Sequence, residues 1–433
     1  MTQPDVLRKQ HLRTPKGTRD LYGGELYAWR RAEQAIEALC EDFGYGELRT
    51  PVFEYTELFY KSTGETTDVV QKEMYTFETK GEKSLTLKPE GTPGTVRAFV
   101  EHGLSGAAQP TRLYYLTPLF RYEQPQAGRM RQFHSFGAEL FGSKGPAGDA
   151  EIISLAQELF RRLGLDNVTL NINSLGGPQC RRKYNQALKG FLSGNINGLC
   201  ETCRERFERN PLRVLDCKNP DCQKIIADAP STIDTLDEEC RAHFMELRRL
   251  LTEMDIAFEI NPRIVRGLDY YIRTVFEFVS PDIGAQSTVC GGGRYDPLLV
   301  NMGGPDIGAT GFGLGMERLM LALGNRGLLP DYQPRADIYI GSAGAEGFLT
   351  AQKLTITLRR AGLRAEADIT ERSVKAQMKY ADKTGALFST IIGSSEIETG
   401  TIKIKEMATG ESQDVEIAAL VSYMKGVRQC QNQ

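Results

Sequence analysis

Arginines and carboxylates crowd into residues 119–142 of this 433-residue chain. Strand alternation sets Arg121 and Glu123 on one face of a first extended run. In a second run it sets Phe133, Ser135, Gly137 and Glu139 on one face, with Phe136, Ala138 and Leu140 on the other. The loop between them adds Arg129 and Arg131. A solvated sheet face with surface ion pairs is one account of the charged side. Phe133 and Gly137 suit a wet face poorly, however, and the charges gather beside an arginine-bearing loop. Guanidinium forks match carboxylate and phosphate oxygens bidentately.

Three further clusters stand apart in sequence. Arg266-Gly267-Leu268-Asp269-Tyr270-Tyr271 runs into a strand, as a ligand-facing turn or as a plain turn closed by an Asx bond. Gly291-Gly292-Gly293-Arg294-Tyr295-Asp296 allows close approach of a ligand or of another backbone. Gly311-Phe312-Gly313-Leu314-Gly315-Met316-Glu317-Arg318 is a glycine-rich strand opening a helix. Its spacing is wrong for a dinucleotide fingerprint, and no phosphate-loop lysine motif occurs. Cys200-x2-Cys203-x13-Cys217-x4-Cys222 has two thiol pairs that could close a tetrahedral zinc site, or be four packed free thiols. Cys40, Cys180, Cys240, Cys290 and Cys430 have no partners at ligand spacing. Of the histidines, His134 falls on the apolar face of the hairpin and reads as structural; His11, His102 and His243 show no constellation.

The elements that must position these groups follow from periodicity. Residues 25–43 carry a helical apolar stripe from Leu26 to Phe43 and stop at Gly44. Two short β-like runs at 73–77 and 84–87 precede a helix to His102, with Thr92 as its cap and Pro93 as its first residue. A helix over 150–163 follows the charged hairpin. Between about 176 and 253 the chain turns charged, helical and cysteine-bearing, an insertion in a β-rich domain whose strands return at 258–260 and 271–279. Pro330 and Pro334 mark a linker. Beyond it, strands at 338–340, 363–367 and 388–392 alternate with helices at 350–360 and 373–383. A strand at 401–405, a turn at 408–410 and a last helix at 417–424 finish an α/β domain with a largely parallel sheet.

Length alone sets an expectation of two or three domains. With 53 Lys and Arg against 56 Asp and Glu, the net charge of −3 excludes a globally basic nucleic-acid coat but leaves room for a local basic groove. No apolar run reaches the roughly 20 residues of a membrane span. Nine cysteines without a secretory signal argue against a disulfide framework and for a reducing cytoplasm. No membrane association is expected.

Several motifs carry a family resemblance. Phe120-Arg121-Tyr122-Glu123 with Arg129, Phe133 and Glu139 resembles motif 2 of the class II aminoacyl-tRNA synthetases. Residues 313–318 resemble motif 3, and Tyr45 to Pro51 stand where motif 1, the dimer-forming element, lies. The segments 266–271 and 292–296, with Thr86-Leu87-Lys88-Pro89-Glu90-Gly91-Thr92, resemble signatures of the histidyl-tRNA synthetase family, and the likeness spans essentially the whole chain. It implies an α+β catalytic core on an antiparallel sheet over 1–330, with the helical insertion at about 176–253. It also implies an anticodon-binding α/β domain with a mixed sheet over 335–433.

The activity implied is the ATP-dependent activation of L-histidine and its transfer to the 3′ end of tRNA(His), by a homodimer using Mg²⁺. By the same resemblance Arg121 and Arg266 are catalytic at the α-phosphate and the histidine carboxylate, and Arg318 meets the γ-phosphate. Glu123, Arg129 and Phe133 complete the ATP site. Glu90, Gly91, Thr92, Ser135, Glu139, Tyr270, Tyr271 and Tyr295 surround the histidine, with Glu139 and Tyr271 on the imidazole. Two positions depart from the family: Ser135 replaces a usual glutamine, and Gln124 a frequent arginine near where the tRNA 5′ end is read. Competing expectations are a non-catalytic regulator of ATP phosphoribosyltransferase and an amino-acid or tRNA sensor. The regulator lacks a C-terminal α/β domain, and a sensor is expected to lose one of Arg121, Arg266 or Arg318.

Overall fold

The structure, a computed structural model, describes residues 13–64, 67–217, 219–284, 287–332 and 336–431, the last three by backbone alone. His11, Pro334, Arg335 and the Cys430 side chain thus lie outside the described residues. The chain divides into two compact units, Met1–Pro330 and Asp331–Gln433.

In the first unit β1 (Gly46–Glu47) precedes a small antiparallel sheet of β2 (Phe53–Tyr55), β3 (Tyr75–Glu78) and β4 (Ser84–Leu87), with β4 central. The main sheet takes β5 (Thr111–Phe120), β6 (Gln132–Phe141), β7 (Thr169–Ser174), β8 (Glu259–Ile260), β9 (Ile272–Val279), β10 (Thr288–Arg294) and β11 (Ala309–Gly315). With β1 its order is β1-β5-β6-β11-β10-β9-β7-β8. The six inner strands are antiparallel, and only the short flanks β1 and β8 pair in parallel. Period-two alternation divides the sheet's faces. Phe136, Ala138 and Leu140 of β6, Phe312 and Leu314 of β11, and Phe276 and Phe278 of β9 pack into one core with helices Gly23–Asp42, Pro146–Arg162 and Glu238–Glu253. The opposite face of β6 and β11 carries Ser135, Gly137, Glu139 and the glycines 311, 313 and 315.

Most expected elements form; one cap does not. Helix Thr92–Glu101 starts at Thr92, with Gly91 before it and no side-chain cap. The Thr92 hydroxyl instead donates to Glu139 Oε1 at 2.7 Å, because a buried carboxylate needs the donor more than a helix end does. Every secondary-structure element among the insertion's described residues is helical, from Pro178–Ser193 to Glu238–Glu253, joined by short turns.

The second unit orders its sheet β13-β12-β14-β15-β16, from β12 (Ile338–Ser342), β13 (Ala365–Ala367), β14 (Phe388–Ile392), β15 (Thr401–Glu406) and β16 (Ser412–Glu416). The first three are parallel and the last two antiparallel, so the sheet is mixed rather than largely parallel. Strand β16 had no sequence signal: only Val415 of its five residues is buried.

Beneath the first unit's sheet lies a charged knot. The Arg294 guanidinium meets Asp149 at 2.8 Å with both side chains wholly buried, and it also donates to the carbonyls of Ser143 and Gly145. Thr274 donates to Asp149 Oδ2 at 2.7 Å, and His243 Nε2 lies 2.8 Å from the same oxygen. His243 therefore does have a constellation, invisible in sequence because Asp149, Thr274 and Arg294 are far along the chain. Burial alone would raise the Asp149 pKa, but Arg294, with His243 and Thr274, outweighs it and holds the carboxyl below its usual range. A depressed carboxylate contributes stability that is present above the unfolded value, about 3.9, and lost as pH falls below it. Breaking a buried pair strands a charge, so Asp149→Ala is expected to lower unfolding stability by about 3–5 kcal/mol in urea titrations. A loss under about 1 kcal/mol would mean that Arg294 finds water or another partner.

Candidate active site

The β5–β6 hairpin builds the floor of a cleft. Tyr115 lies opposite Gly137, and a Cβ on Gly137 or Gly91 would sit 2.1 and 2.3 Å from its ring, so both positions need glycine. The loop after β5 folds back: Arg121 N–H donates to Arg131 C=O at 2.8 Å, and Gln126 and Arg129 bridge at the tip. That return brings Arg129 within 3.1 Å of Glu123, with Arg121 3.9 Å from the same carboxylate. Arg121 also donates to the Pro89 carbonyl at 2.9 Å and lies 5.5 Å over the Phe133 ring.

Two other segments complete the walls. Helix Met316–Asn325 is fixed to β6 through Glu317, whose carboxylate accepts from the His134 backbone N–H at 3.0 Å and lies 3.1 Å from its ring nitrogen. His134 packs edge-on against Trp29 as well, the structural role expected for it. One residue on, Arg318 donates to the carbonyls of Thr288 (2.7 Å) and Gly128 (3.3 Å). From the segment before β9, Arg266 pairs with Glu277 and approaches the Tyr271 ring at 6.0 Å. Crowding has an electrostatic signature. Burial, followed by the neighbouring Arg129, Arg121 and Arg266 charges against a counteracting Glu123, pulls the Arg318 pKa down to about 10.

The cleft encloses a cavity of about 200 Å³. Glu90, Gly91, Thr92, Arg121, Glu123, Arg129, Phe133, Ser135, Arg266, Tyr271 and Arg318 all line it. Glu139, Tyr270 and Tyr295 do not; they lie underneath. Glu139 accepts hydrogen bonds from Thr92 and Tyr295, and Tyr270 donates to Glu90 Oε1. Glu90 Oε2 is buried with no donor from the described residues, which leaves a carboxylate oxygen for a cationic partner. Ser135 turns its hydroxyl to the Leu314 carbonyl at 3.3 Å. Sequence reasoning missed Tyr115, Thr288 and Cys290 in the lining, and Glu277 behind Arg266, whereas Gly291, which opens the glycine run singled out for close approach, does line it. The pairing of Tyr115 with a strand glycine was the signal available for the first; Cys290 read as an ordinary thiol.

The cysteines also regroup. Cys200, Cys203, Cys217 and Cys222 converge, their sulfurs all within 4.8 Å of one another. Cys180 and Cys240, expected without partners, meet at Asp237, which accepts from the Cys180 thiol at 3.0 Å and caps helix Glu238–Glu253 through the Cys240 N–H.

An antiparallel sheet whose motif strands converge arginines on a cleft above buried carboxylates is the catalytic core of a class II aminoacyl-tRNA synthetase. The family model of histidyl-tRNA synthetase matches residues 17–319, and that of an anticodon-binding domain matches 338–426. The chain is 51% identical over 417 residues to the histidine–tRNA ligase of Clostridium perfringens, covering 96% of this chain and all of that one. It is 50% identical over 414 residues to that of Clostridioides difficile, covering 95% and 99%. The apo histidyl-tRNA synthetase of Staphylococcus aureus superposes with a TM-score of 0.81 at 37% identity, over 96% of this chain and the whole of that one. The chain belongs to the histidyl-tRNA synthetase family.

Burial, against hydrogen bonds from Tyr295 and Thr92, pushes the Glu139 carboxyl up to about 8. A raised folded-state pKa gives stability that is complete below the unfolded value, about 4.3, and lost as pH climbs through the folded one. The wild type is therefore expected to lose stability relative to Glu139→Gln between about pH 4.3 and 8, read from urea midpoints across that range. Parallel pH profiles for the two proteins would show that Glu139 is already ionised in the fold.

Proposed function

We propose that the chain is a histidine–tRNA ligase. L-Histidine attacks ATP to give histidyl-adenylate and pyrophosphate, and the histidyl group then passes to the 3′-terminal ribose of tRNA(His). The observation that carries this reading is the convergence of Arg121, Arg266 and Arg318, from three separate segments, on one cleft with Glu90 at its inner end.

In the first step a carboxylate oxygen of histidine bonds to the α-phosphorus as the bond to the pyrophosphate oxygen breaks. Two anions must meet, so the protein supplies position and fixed cations rather than a nucleophile. Arg121 and Arg266 stand for the α-phosphate and histidine carboxylate, Arg318 for the γ-phosphate. Phe133 offers adenine a stacking surface, with Glu123 and Arg129 beside it. The α-ammonium of histidine is the cation that Glu90 Oε2 lacks, with Gly91 and Thr92 alongside. Tyr271 faces the imidazole, and Glu139, Tyr270 and Tyr295 support that end from beneath. Ser135, with its hydroxyl given to Leu314, leaves to others the contact that a glutamine makes in relatives. Mg²⁺, bound with ATP, would be held mainly by the substrate phosphates and would offset their charge. The four-cysteine cluster takes a structural Zn²⁺.

The reading extends to partners and location. Lys375, Lys379 and Lys383 form an exposed i, i+4 stripe on helix Val374–Lys383, suited to the phosphates of an anticodon stem. Arg359, Arg364 and Arg372 are less free for that task, since they bond to Ala365, Asp337 and Asp368. A homodimer has a candidate face in the small sheet, where Phe53, Tyr55 and Phe77 are all about half exposed and Phe53 meets Phe77 edge-on. Among the described residues no helix is long and apolar enough to cross a membrane, and a cytoplasmic setting fits the substrates. The regulator reading loses ground to the C-terminal unit and the intact arginine set. A fold likeness to a Bacillus halodurans ATP phosphoribosyltransferase regulatory subunit/histidyl-tRNA synthetase, TM-score 0.63 at 20% identity, bears on architecture alone.

ATP–pyrophosphate exchange tested with each of the common amino acids should proceed with histidine alone. Arg266→Ala should lower that exchange by roughly 10²–10³-fold, the scale of losing one preorganised charge donor. Exchange with no amino acid at all would overturn the ligase reading and return the regulator or sensor.

A further inference from the structure

The insertion grips the segment that carries Arg266. Arg213 donates to the Arg266 carbonyl at 3.4 Å, Asn210 to the Asp269 carboxylate at 2.9 Å, and Arg181 to the carbonyls of Asp269 and Tyr271 at 3.1 and 3.3 Å. Arg206 and Arg213 also converge on Asp68, at 3.0 and 3.2 Å, and Arg206 donates to the Arg213 carbonyl at 3.2 Å. Arg206, Asn210 and Arg213 share one property in sequence: all lie in the 13 residues between Cys203 and Cys217.

The cysteine geometry suits a metal. Cys200 Sγ and Cys217 Sγ are 3.8 Å apart. A tetrahedron with metal–sulfur bonds of about 2.3 Å has edges of about 3.8 Å. Backbone N–H groups already point at the sulfurs, from Cys200 to Cys222 Sγ at 3.2 Å and from Asn219 to Cys217 Sγ at 3.4 Å, the outer hydrogen bonds that thiolate ligands attract. Cys203, Cys217 and Cys222 are buried. Four thiols would yield their protons to solvent as Zn²⁺ binds.

We propose that Zn²⁺ on Cys200, Cys203, Cys217 and Cys222 closes the helical 204–216 segment into a clamp, and that this clamp positions the Arg266–Tyr271 segment for histidine activation. The metal is remote from the chemistry and acts through Asn210 and Arg213, which are positioning residues. The inference rests on the ligase reading only for its kinetic consequence.

The test uses the full chain. Plasma mass spectrometry should find close to one Zn²⁺ per chain, and near none in a Cys200→Ser/Cys217→Ser variant. In pyrophosphate exchange that variant should raise KM for histidine ~10- to 100-fold with a smaller change in kcat, the scale of a misplaced contact. Arg213→Ala should keep its zinc and show the same KM rise, with Arg213→Lys recovering part of it. Hydrogen exchange of the peptide covering residues 266–271 should quicken in both the cysteine and the alanine variants, a readout that stands even if the wild type activates no amino acid. A wild type without zinc overturns the metal site. Zinc loss and Arg213→Ala that both leave KM and amide exchange unchanged overturn the clamp.

Discussion

Like charges have to be held together before the ligand that reconciles them arrives. Arg121, Arg129, Arg266 and Arg318 share one cleft, where burial, joined by repulsion from the other three, lowers the Arg318 pKa. The fold meets that cost by giving each guanidinium a fixed acceptor: the Pro89 carbonyl for Arg121, Glu123 for Arg129, Glu277 for Arg266, and the carbonyls of Gly128 and Thr288 for Arg318. These acceptors come from the segment before helix Thr92–Glu101, the β5–β6 loop, β9 and β10, so the sheet must form before the cluster can exist. Preorganised cations cost nothing to reorient at the moment of reaction, which is where their catalytic value lies.

The opposite end of the cleft carries the inverse problem. Glu90 and Glu139 are both buried, and burial is the first cause that raises each pKa. Tyrosine and threonine hydroxyls share the load, Tyr270 on Glu90, and Tyr295 and Thr92 on Glu139. Hydroxyls can donate without adding charge, so they hold a carboxylate in place yet leave it wanting a cation. Glycine keeps the ends close: a Cβ at Gly311 would lie 1.8 Å from Glu139 Oε2.

How much of this was legible in the sequence depended on range. Alternation along β6 separated core from cleft correctly, with Phe136 and Leu140 inward and Phe133 and Ser135 toward the cleft; Arg121 and Glu123 lie past the end of β5, so strand alternation does not govern their faces. The helical stripes and the interruption by the insertion were legible for the same local reason. Glu139 shared a face with the lining residues and was still placed one layer too shallow, because the depth of a side chain depends on what a neighbouring strand lays over it. Glu277 and Cys290 had no local mark at all. His243 looked solitary, since its partners Asp149 and Thr274 lie on a helix and a strand far from it in the chain.

The insertion illustrates the point most fully. Its composition reads as an appendage, charged and without alternating strands, yet its ends are stitched into the core. His243 reaches Asp149 beneath the sheet, while Arg181, Asn210 and Arg213 hold the Arg266–Tyr271 segment above it. An arginine side chain that donates to a backbone carbonyl fixes a loop without demanding any side chain of it, so Gly267 can stay small beside Arg213, whose nearest nitrogen would lie 3.3 Å from an added Cβ. A segment with few hydrogen bonds of its own thereby gains its shape from donors outside it. The geometry of Arg266 is then a property of two separated stretches of chain, and a substitution in the insertion can be felt at Arg266.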